Sequence, residues 1–283
     1  MTSTDPRAVA HPRRPRRRHV LGDALLVVGA VATSLPFVWM LLSALKPRSE
    51  ATATPPRLLP RAPTLEFVRY LFETLDFGRY LVNTLVVVAI GFGGLVLMAM
   101  AGYAFAKFRF RGRGAMFALV LSTMMIPVQV TMIPTYLILA RIGLTNTLVG
   151  IALPTLVSAF GIFLFRQFMS TLPDEVLEAA RLDGASELRV FRSVVLPMSR
   201  PILAVQAVLT FIAGWNSFLW PLVVAGEQSN YTLSVGLALL NQQVATNPSL
   251  QMAGAAVMVV PILVVFAIFQ RHIVQGFTMS GLK

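Results

Sequence analysis

The sequence predicts an all-α fold: a polytopic membrane protein with six transmembrane helices and a cytoplasmic loop between the fourth and the fifth. Three observations predict it. Of 283 residues, 56% are hydrophobic and only 13% charged, against about 25% charged in a typical soluble domain. The mean hydropathy is +0.72. The apolar residues fall into six long runs that contain no Asp, Glu, Lys or Arg. A chain of this size folding in water closes around one or two modest cores, so lipid is the solvent that accounts for the excess.

Residues 1–19 are polar and rich in Pro and Arg, and they read as a disordered tail. Arg13, Arg14, Arg16, Arg17 and Arg18 precede the first apolar run, Ala24–Leu45. That run is too long for the apolar core of a secretory signal and lacks a small-residue cleavage site, and the residues after the Arg pairs fit a twin-arginine signal poorly. It is read as an uncleaved first helix. The other runs are Leu81–Ala106, Ala115–Ala140, Thr147–Phe165, Ile202–Val224 and Met252–Phe269. A helix needs roughly 20 residues to cross the hydrocarbon core, and in lipid a segment must satisfy its own backbone hydrogen bonds. Pro36, Pro127, Pro134, Pro154, Pro221 and Pro261 punctuate these helices, which neighbouring helices make tolerable. Pro127 and Pro134 flank Gln129 and predict a kinked third helix, either a functional bend or a packing kink. Gly91, Gly94, Ala99, Gly102 and Ala106 mark a helix-packing face on the second.

Six spans place both termini on one side. With that side cytoplasmic, 17 basic residues lie inside and seven outside, the asymmetry expected of cytoplasmic termini. The connection 107–114 alone carries four positive charges and no negative one. The chain thus divides into the basic tail 1–19, a membrane domain 20–275 with an inner loop 171–201 and an outer loop 225–250, and a C-terminal tail 276–283. The membrane setting accounts for the net charge of +12 without nucleic acid as a partner; the bilayer is the partner the sequence demands.

Several chemistries are excluded. There is no cysteine, hence no disulfide or thiolate site, and His11 and His19 lie in the tail, apart from His272, which speaks against a metal site. The spans carry no ionisable group of the kind that ion-coupled transporters place at membrane depth. No Gly-Lys-Ser/Thr ending of a phosphate-binding loop occurs, since none of the three lysines follows a glycine. If the chain drives transport, its energy comes from another subunit; no catalytic residue and no cofactor are expected on this one.

The 171–201 loop carries the distinctive motif. Ser170 or Thr171 can cap a helix, Pro173 suits its first turn, and Asp174 and Glu175 favour its positive end. Val176, Leu177 and Ala180 share a face. Asp183-Gly184 is a stop signal with Gly184 suited to a left-handed conformation. Ser186 or Glu187 restarts a short helix expected to end before Pro197. Glu178-Ala179-Ala180, Asp183-Gly184-Ala185, Phe191, Leu196-Pro197 and Pro201 resemble, ungapped, the EAA loop of ATP-binding-cassette importer permeases. Trp215-Asn216-Ser217-Phe218-Leu219-Trp220-Pro221 and the C-terminal Gln270–Lys283 resemble the carbohydrate-uptake branch, and within it the six-helix subunit of the maltose transporter. Phe277, Met279 and Leu282 depart from the usual tail, though they remain apolar. The resemblance covers Ala24 to Lys283.

The resemblance implies a bacterial inner-membrane permease subunit that imports a sugar or sugar derivative. Its partners would be a second related permease, two ATPase subunits that bind ATP and magnesium, and an extracytoplasmic solute-binding protein that faces residues 225–250. Glu178, Ala179, Ala180, Asp183, Gly184 and Ala185 would form the coupling helix that docks on an ATPase, with Glu178 pairing a basic group. Gly276, Gly281 and Lys283 would lie in a tail that faces the ATPases. Gln129, Ser158, Trp215 and Asn216 are substrate-path candidates, with Tyr103 and Trp220 as further aromatic platforms; interhelical hydrogen bonding explains the same residues. The alternatives are the same architecture carrying a glycerol phosphodiester, polyol or amino acid, or a passive channel or scaffold.

Overall fold

Helix α1 (Val20–Ala44) presents Leu25, Leu26, Val27 and Val28 outward, the state expected of a helix solvated by lipid. The computed structural model describes residues 20–243 and 247–278, and among these every regular element is helical. After α1 the chain turns through the short α2 (Arg48–Ala51) and reaches α3 (Glu66–Thr74). The connecting loop folds around one buried cation. Lys46 Nζ donates to the Arg57 carbonyl at 2.5 Å and sits 4.3 Å from the Trp39 ring centre. Glu50 accepts the Arg61 and Ala62 backbone N–H groups at 2.9 and 3.2 Å.

Helix α4 (Phe77–Lys107) is the axis of the molecule. It runs unbroken for 31 residues without a proline, about 46 Å at 1.5 Å per residue. Its principal neighbours are the later helices α8 and α12. The third apolar run folds as α5 (Arg113–Thr123) and α6 (Val128–Arg141), which meet at 98°. The expected kink is therefore a full break. Pro127 is extended, with φ −60° and ψ 134°, and begins α6 without an N–H to give to α5. The fourth run is α7 (Leu148–Ala152), a 3₁₀ turn at Leu153–Thr155 containing Pro154, and α8 (Ala159–Met169), bent by 46°.

Beyond α9 (Asp174–Leu182), α10 (Glu187–Val190) passes through a π turn, Phe191–Val195, into α11 (Leu196–Met198). The short helix does not end before Pro197: the widened turn carries the chain through it. Helix α12 (Arg200–Trp215) then departs at 80°. The fifth run is itself interrupted, with α12 and α13 (Leu219–Val224) separated at Asn216–Phe218. Because 187–198 carries Glu187, Arg189 and Arg192, α12 with α13 is the apolar unit here. Helix α14 (Leu233–Gln243) is too short to span and packs back on α4 and α15 (Pro248–Thr278), burying Leu233, Val235 and Leu240. Helices α1, α4 and α15 are each long and apolar enough to cross a membrane, and three bent pairs meet the same criterion jointly.

The small-residue face predicted on the second span meets three neighbours: Gly91 lies against Thr210 of α12, Gly94 against Leu156 in the turn before α8, and Gly102 against α8 itself. A Cβ at Gly94 would strike the Leu156 carbonyl, and one at Gly102 would strike the Phe165 side chain and stand 2.9 Å from the Arg166 nitrogen. Backbones approach this closely only where side chains are absent. Gly102→Ala is expected to destabilise the purified protein by about 1–3 kcal/mol through overpacking. Gly93→Ala, where a Cβ meets nothing within 4 Å, is the control expected to be neutral. Thermal unfolding in detergent measures both; equal melting temperatures for the two variants would contradict the tight seam.

Candidate functional site

The 171–201 loop folds as the sequence predicts in outline and differs in its caps. Ser170 and Thr171 do not cap α9. Their hydroxyls donate backwards to the Arg166 and Phe168 carbonyls at 2.6 and 2.8 Å, closing α8 instead. Pro173 precedes α9 in an extended conformation, with Asp174 and Glu175 in the first turn. At the far end Gly184 is left-handed, φ +81°. The Gly184 N–H donates to Arg181 O at 3.0 Å and the Ala185 N–H to Ala180 O at 3.1 Å, the paired bonds of a Schellman close. Ala180 and Ala185 both pack on the same cluster, supplying its apolar contact. The spacing from Ala180 through Asp183-Gly184-Ala185 is therefore the geometry of this one turn.

Leu177, 1% exposed, fixes α9 to the bundle. It enters a cluster with Tyr103 and Phe105 of α4, Phe165 and Met169 of α8, and Val190, Phe191 and Val195. The opposite face of α9 presents Glu175, Glu178, Ala179 and Leu182. Leu182 is 89% exposed, and Leu188 and Val176 are exposed beside it. A protruding leucine ringed by charge on a helix fixed from behind has the form of a docking surface. No cluster of His, Asp or Glu that could hold a metal occurs among the described residues.

Two polar braces tie the loop to the end of α4, and neither was legible as such in the sequence. Lys107 Nζ donates to the Leu172 carbonyl and to Asp174 Oδ1, each at 2.6 Å. Arg181 Nε donates to Glu187 Oε1 at 2.7 Å, and the Tyr103 hydroxyl donates to Glu187 Oε2 at 3.4 Å. The Asp174 carboxyl is held below the ordinary range by the hydrogen bond from Lys107 and by its charge. That of Glu187 is lowered chiefly by the Arg181 hydrogen bond.

The structure does not gather the substrate-path candidates into one site. Trp215 is 1% exposed, stacks on Phe211 and donates Nε1–H to the Met258 carbonyl at 2.9 Å. Trp220 donates to Ile151 O at 3.0 Å, and Tyr103 is buried against Phe108 and Phe191. Trp215 and Tyr103 are buried as bundle contacts, whereas Trp220 is half-buried. Ser158 caps α8, accepting the Gly161 N–H at 2.9 Å. Gln129 and Asn216 are exposed, on α6 and at the break after α12. The glutamine that is buried among helices is Gln206 of α12, beside Gly161. An aromatic cleft of about 320 Å³ lies elsewhere, where Phe77, Tyr80, Gln228 and Tyr231 meet α14. Of the C-terminal candidates, Gly276 falls in the last turn of α15, while Gly281 and Lys283 lie outside the described residues.

Comparison with known proteins places this geometry in context. The family model described as binding-protein-dependent transport system inner membrane component matches residues 98–279. The chain is 34% identical over 270 residues to the arabinooligosaccharides transport system permease protein AraQ of Halalkalibacterium halodurans, covering 92% of this chain and 96% of that one. It is equally 34% identical over 270 residues to the sn-glycerol-3-phosphate transport system permease protein UgpE of Pectobacterium atrosepticum, with the same coverage. In fold it is similar to a chain of a bacterial ABC transporter involved in the import of the acidic polysaccharide alginate. The TM-score is 0.79 at 24% identity, over 93% of this chain and 98% of that one.

The braces carry a pH prediction. Because both carboxyls titrate below the ordinary range, their stabilising contribution is complete above it and is lost as pH falls through the lowered values. Protection across 174–190, taken relative to the unfolded exchange rate at each pH, should be kept down to about pH 4, near the ordinary carboxylate range, and fall only in stronger acid. Lys107→Met should bring several-fold faster exchange at neutral pH. Loss of protection in the unaltered protein well above that range would contradict the assignment.

Proposed function

This chain belongs to the family of binding-protein-dependent transport system inner membrane components, and on that premise we propose that it is the permease subunit of an ATP-driven importer for a sugar or sugar derivative. The observation that carries the reading is α9: an exposed face with Glu178 and Leu182 on a helix anchored from behind by Leu177 and closed by Gly184. Such a face suits a groove on a soluble partner. The partner proposed is one of two ATPase subunits that bind ATP and magnesium, with Glu178 meeting a basic side chain. A second, related permease completes the membrane pathway. A solute-binding protein delivers cargo to the opposite face, at residues 225–250. Both termini lie in the cytoplasm, which the excess of basic residues on that side supports.

The relatives leave two classes of cargo, an oligosaccharide and a glycerol phosphate. A phosphate crossing the membrane calls for cationic hydrogen-bond donors along its path, and the six apolar runs of this chain contain no Lys or Arg. That favours a neutral sugar. Competition binding to the cognate solute-binding protein, followed by uptake into vesicles containing the assembled complex, decides between them. Uptake of arabino-oligosaccharide but not of glycerol 3-phosphate is the expected result.

The purified chain by itself should hydrolyse no ATP, since it lacks a phosphate-binding loop; hydrolysis should appear only when the ATPase subunits are added. Glu178→Ala should insert and fold normally while docking weakens by about 1.5–3 kcal/mol, the loss of a charge-assisted contact. Gly184→Val should also impair transport, because a β-branched residue resists φ +81°. Wild-type transport by both variants would remove α9 from the coupling role.

A further inference from the structure

Helix α4 is gripped at both ends by polar contacts to segments far away in the chain. At the inner end, Lys107 and Tyr103 hold the loop through Leu172, Asp174 and Glu187. At the outer end, Asn83 Nδ2 donates to the Ser229 and Tyr231 carbonyls, both at 2.9 Å. Next to it, Thr84 Oγ1 accepts the Leu233 N–H at 2.8 Å and donates to Tyr80 O at 2.8 Å. Asn83 and Thr84 are buried, so these bonds are shielded from competing water and carry more weight than surface contacts.

Between the two grips lie about 35 Å of helix, at 1.5 Å per residue. The long helices α1 and α15 each contain a proline, Pro36 and Pro261, and the remaining apolar units are bent pairs or interrupted. Helix α4 has neither an internal proline nor a break. The outer loop is also stitched to Asn146, whose Oδ1 accepts the Gly226 and Glu227 N–H groups at 3.1 and 3.0 Å. The elements on either side of Asn146 are the broken pairs, which bend at their breaks instead of transmitting a push.

We infer that α4 is the rod that carries the binding protein's signal from the 228–233 segment to the inner loop, with Asn83 and Thr84 as the positioning residues that grip the outer end. The inference deepens the importer reading and rests on it. Displacement of the outer segment is passed to α4 by three short hydrogen bonds, travels along an unbroken helix, and reaches α9 and α10 through Lys107 and Tyr103.

The test uses the full complex in nanodiscs, with ATP hydrolysis measured against concentration of sugar-loaded binding protein. Asn83→Ala removes both donors. Thr84→Val is isosteric and removes the acceptor, whereas Thr84→Ser retains it. Maximal stimulation should fall about fivefold or more in Asn83→Ala and Thr84→Val, within the usual range of coupling between sites. Basal hydrolysis and the half-saturating concentration of binding protein should be unchanged, and Thr84→Ser should restore stimulation. Hydrogen exchange on the unaltered complex supplies a readout that needs no variant: the loaded binding protein should alter protection at 228–233 and at 172–187 together. Stimulation at wild-type level in both variants overturns the inference. So does a parallel fall of basal and stimulated hydrolysis, or a change at 228–233 with none at 172–187. A wild-type complex that shows no stimulation overturns the importer reading itself.

Discussion

Helix α4 approaches α8 at Gly102 and the turn before α8 at Gly94 to a distance that their missing side chains set, and the packing around the 171–201 loop follows from that approach. With the backbones this close, Phe165 and Met169 slot in beside Tyr103 and Phe105, and the cluster gains a floor on which Leu177 can rest. Helix α9 is thereby held beside the last turn of α4, within reach of Lys107. The loop's outward face is available for docking because its inward face is committed. A wider seam would leave Leu177 without its pocket and would separate Lys107 from Asp174.

A second constraint is the backbone itself. Breaks at Pro127 and Pro154 in two apolar units leave carbonyls without helical partners, a serious cost in hydrocarbon. Hydroxyl side chains meet part of it. Ser122 and Thr123 donate to the Leu119 and Val120 carbonyls at 2.8 and 2.7 Å where α5 ends. Thr155 donates to Ala152 O beside Pro154. The irregular units are therefore compatible with lipid and more deformable than α4. Among the long helices of the bundle, α4 alone has no internal proline, and its neighbours α5–α6 and α7–α8 are jointed.

The exposed surfaces divide by chemistry in the same way. Helices α1, α5 and α6 present continuous apolar faces to lipid or to another membrane subunit. The 171–201 loop presents charge around the isolated exposed leucines Leu182 and Leu188. The six apolar runs, by contrast, contain hydrogen-bonding side chains and no Asp, Glu, Lys or Arg.

The sequence by itself determined whatever is encoded within one turn or one apolar run. It determined the helical membrane class through runs free of charge and about as long as the hydrocarbon core is thick, the small-residue seam through glycine spacing, and the loop's turn through Gly184. These features depend on neighbours along the chain, so local pattern suffices. Caps were less legible, because Ser170 and Thr171 can turn their hydroxyls either forward into α9 or back onto α8, and only the geometry of the closing turn chooses. The fate of the aromatic residues was not legible at all. Trp215 and Tyr103 are equally apt for a sugar face or a packed core, and what placed them in the core was the arrival of Met258 and Phe191 from distant helices. The tertiary structure also decided the grips on α4: Lys107 meets Asp174 across 67 residues and Asn83 meets Tyr231 across 148. A hydrogen bond requires its two groups to lie within about 3 Å, and for residues so far apart in the chain that proximity is a property of the packed bundle alone.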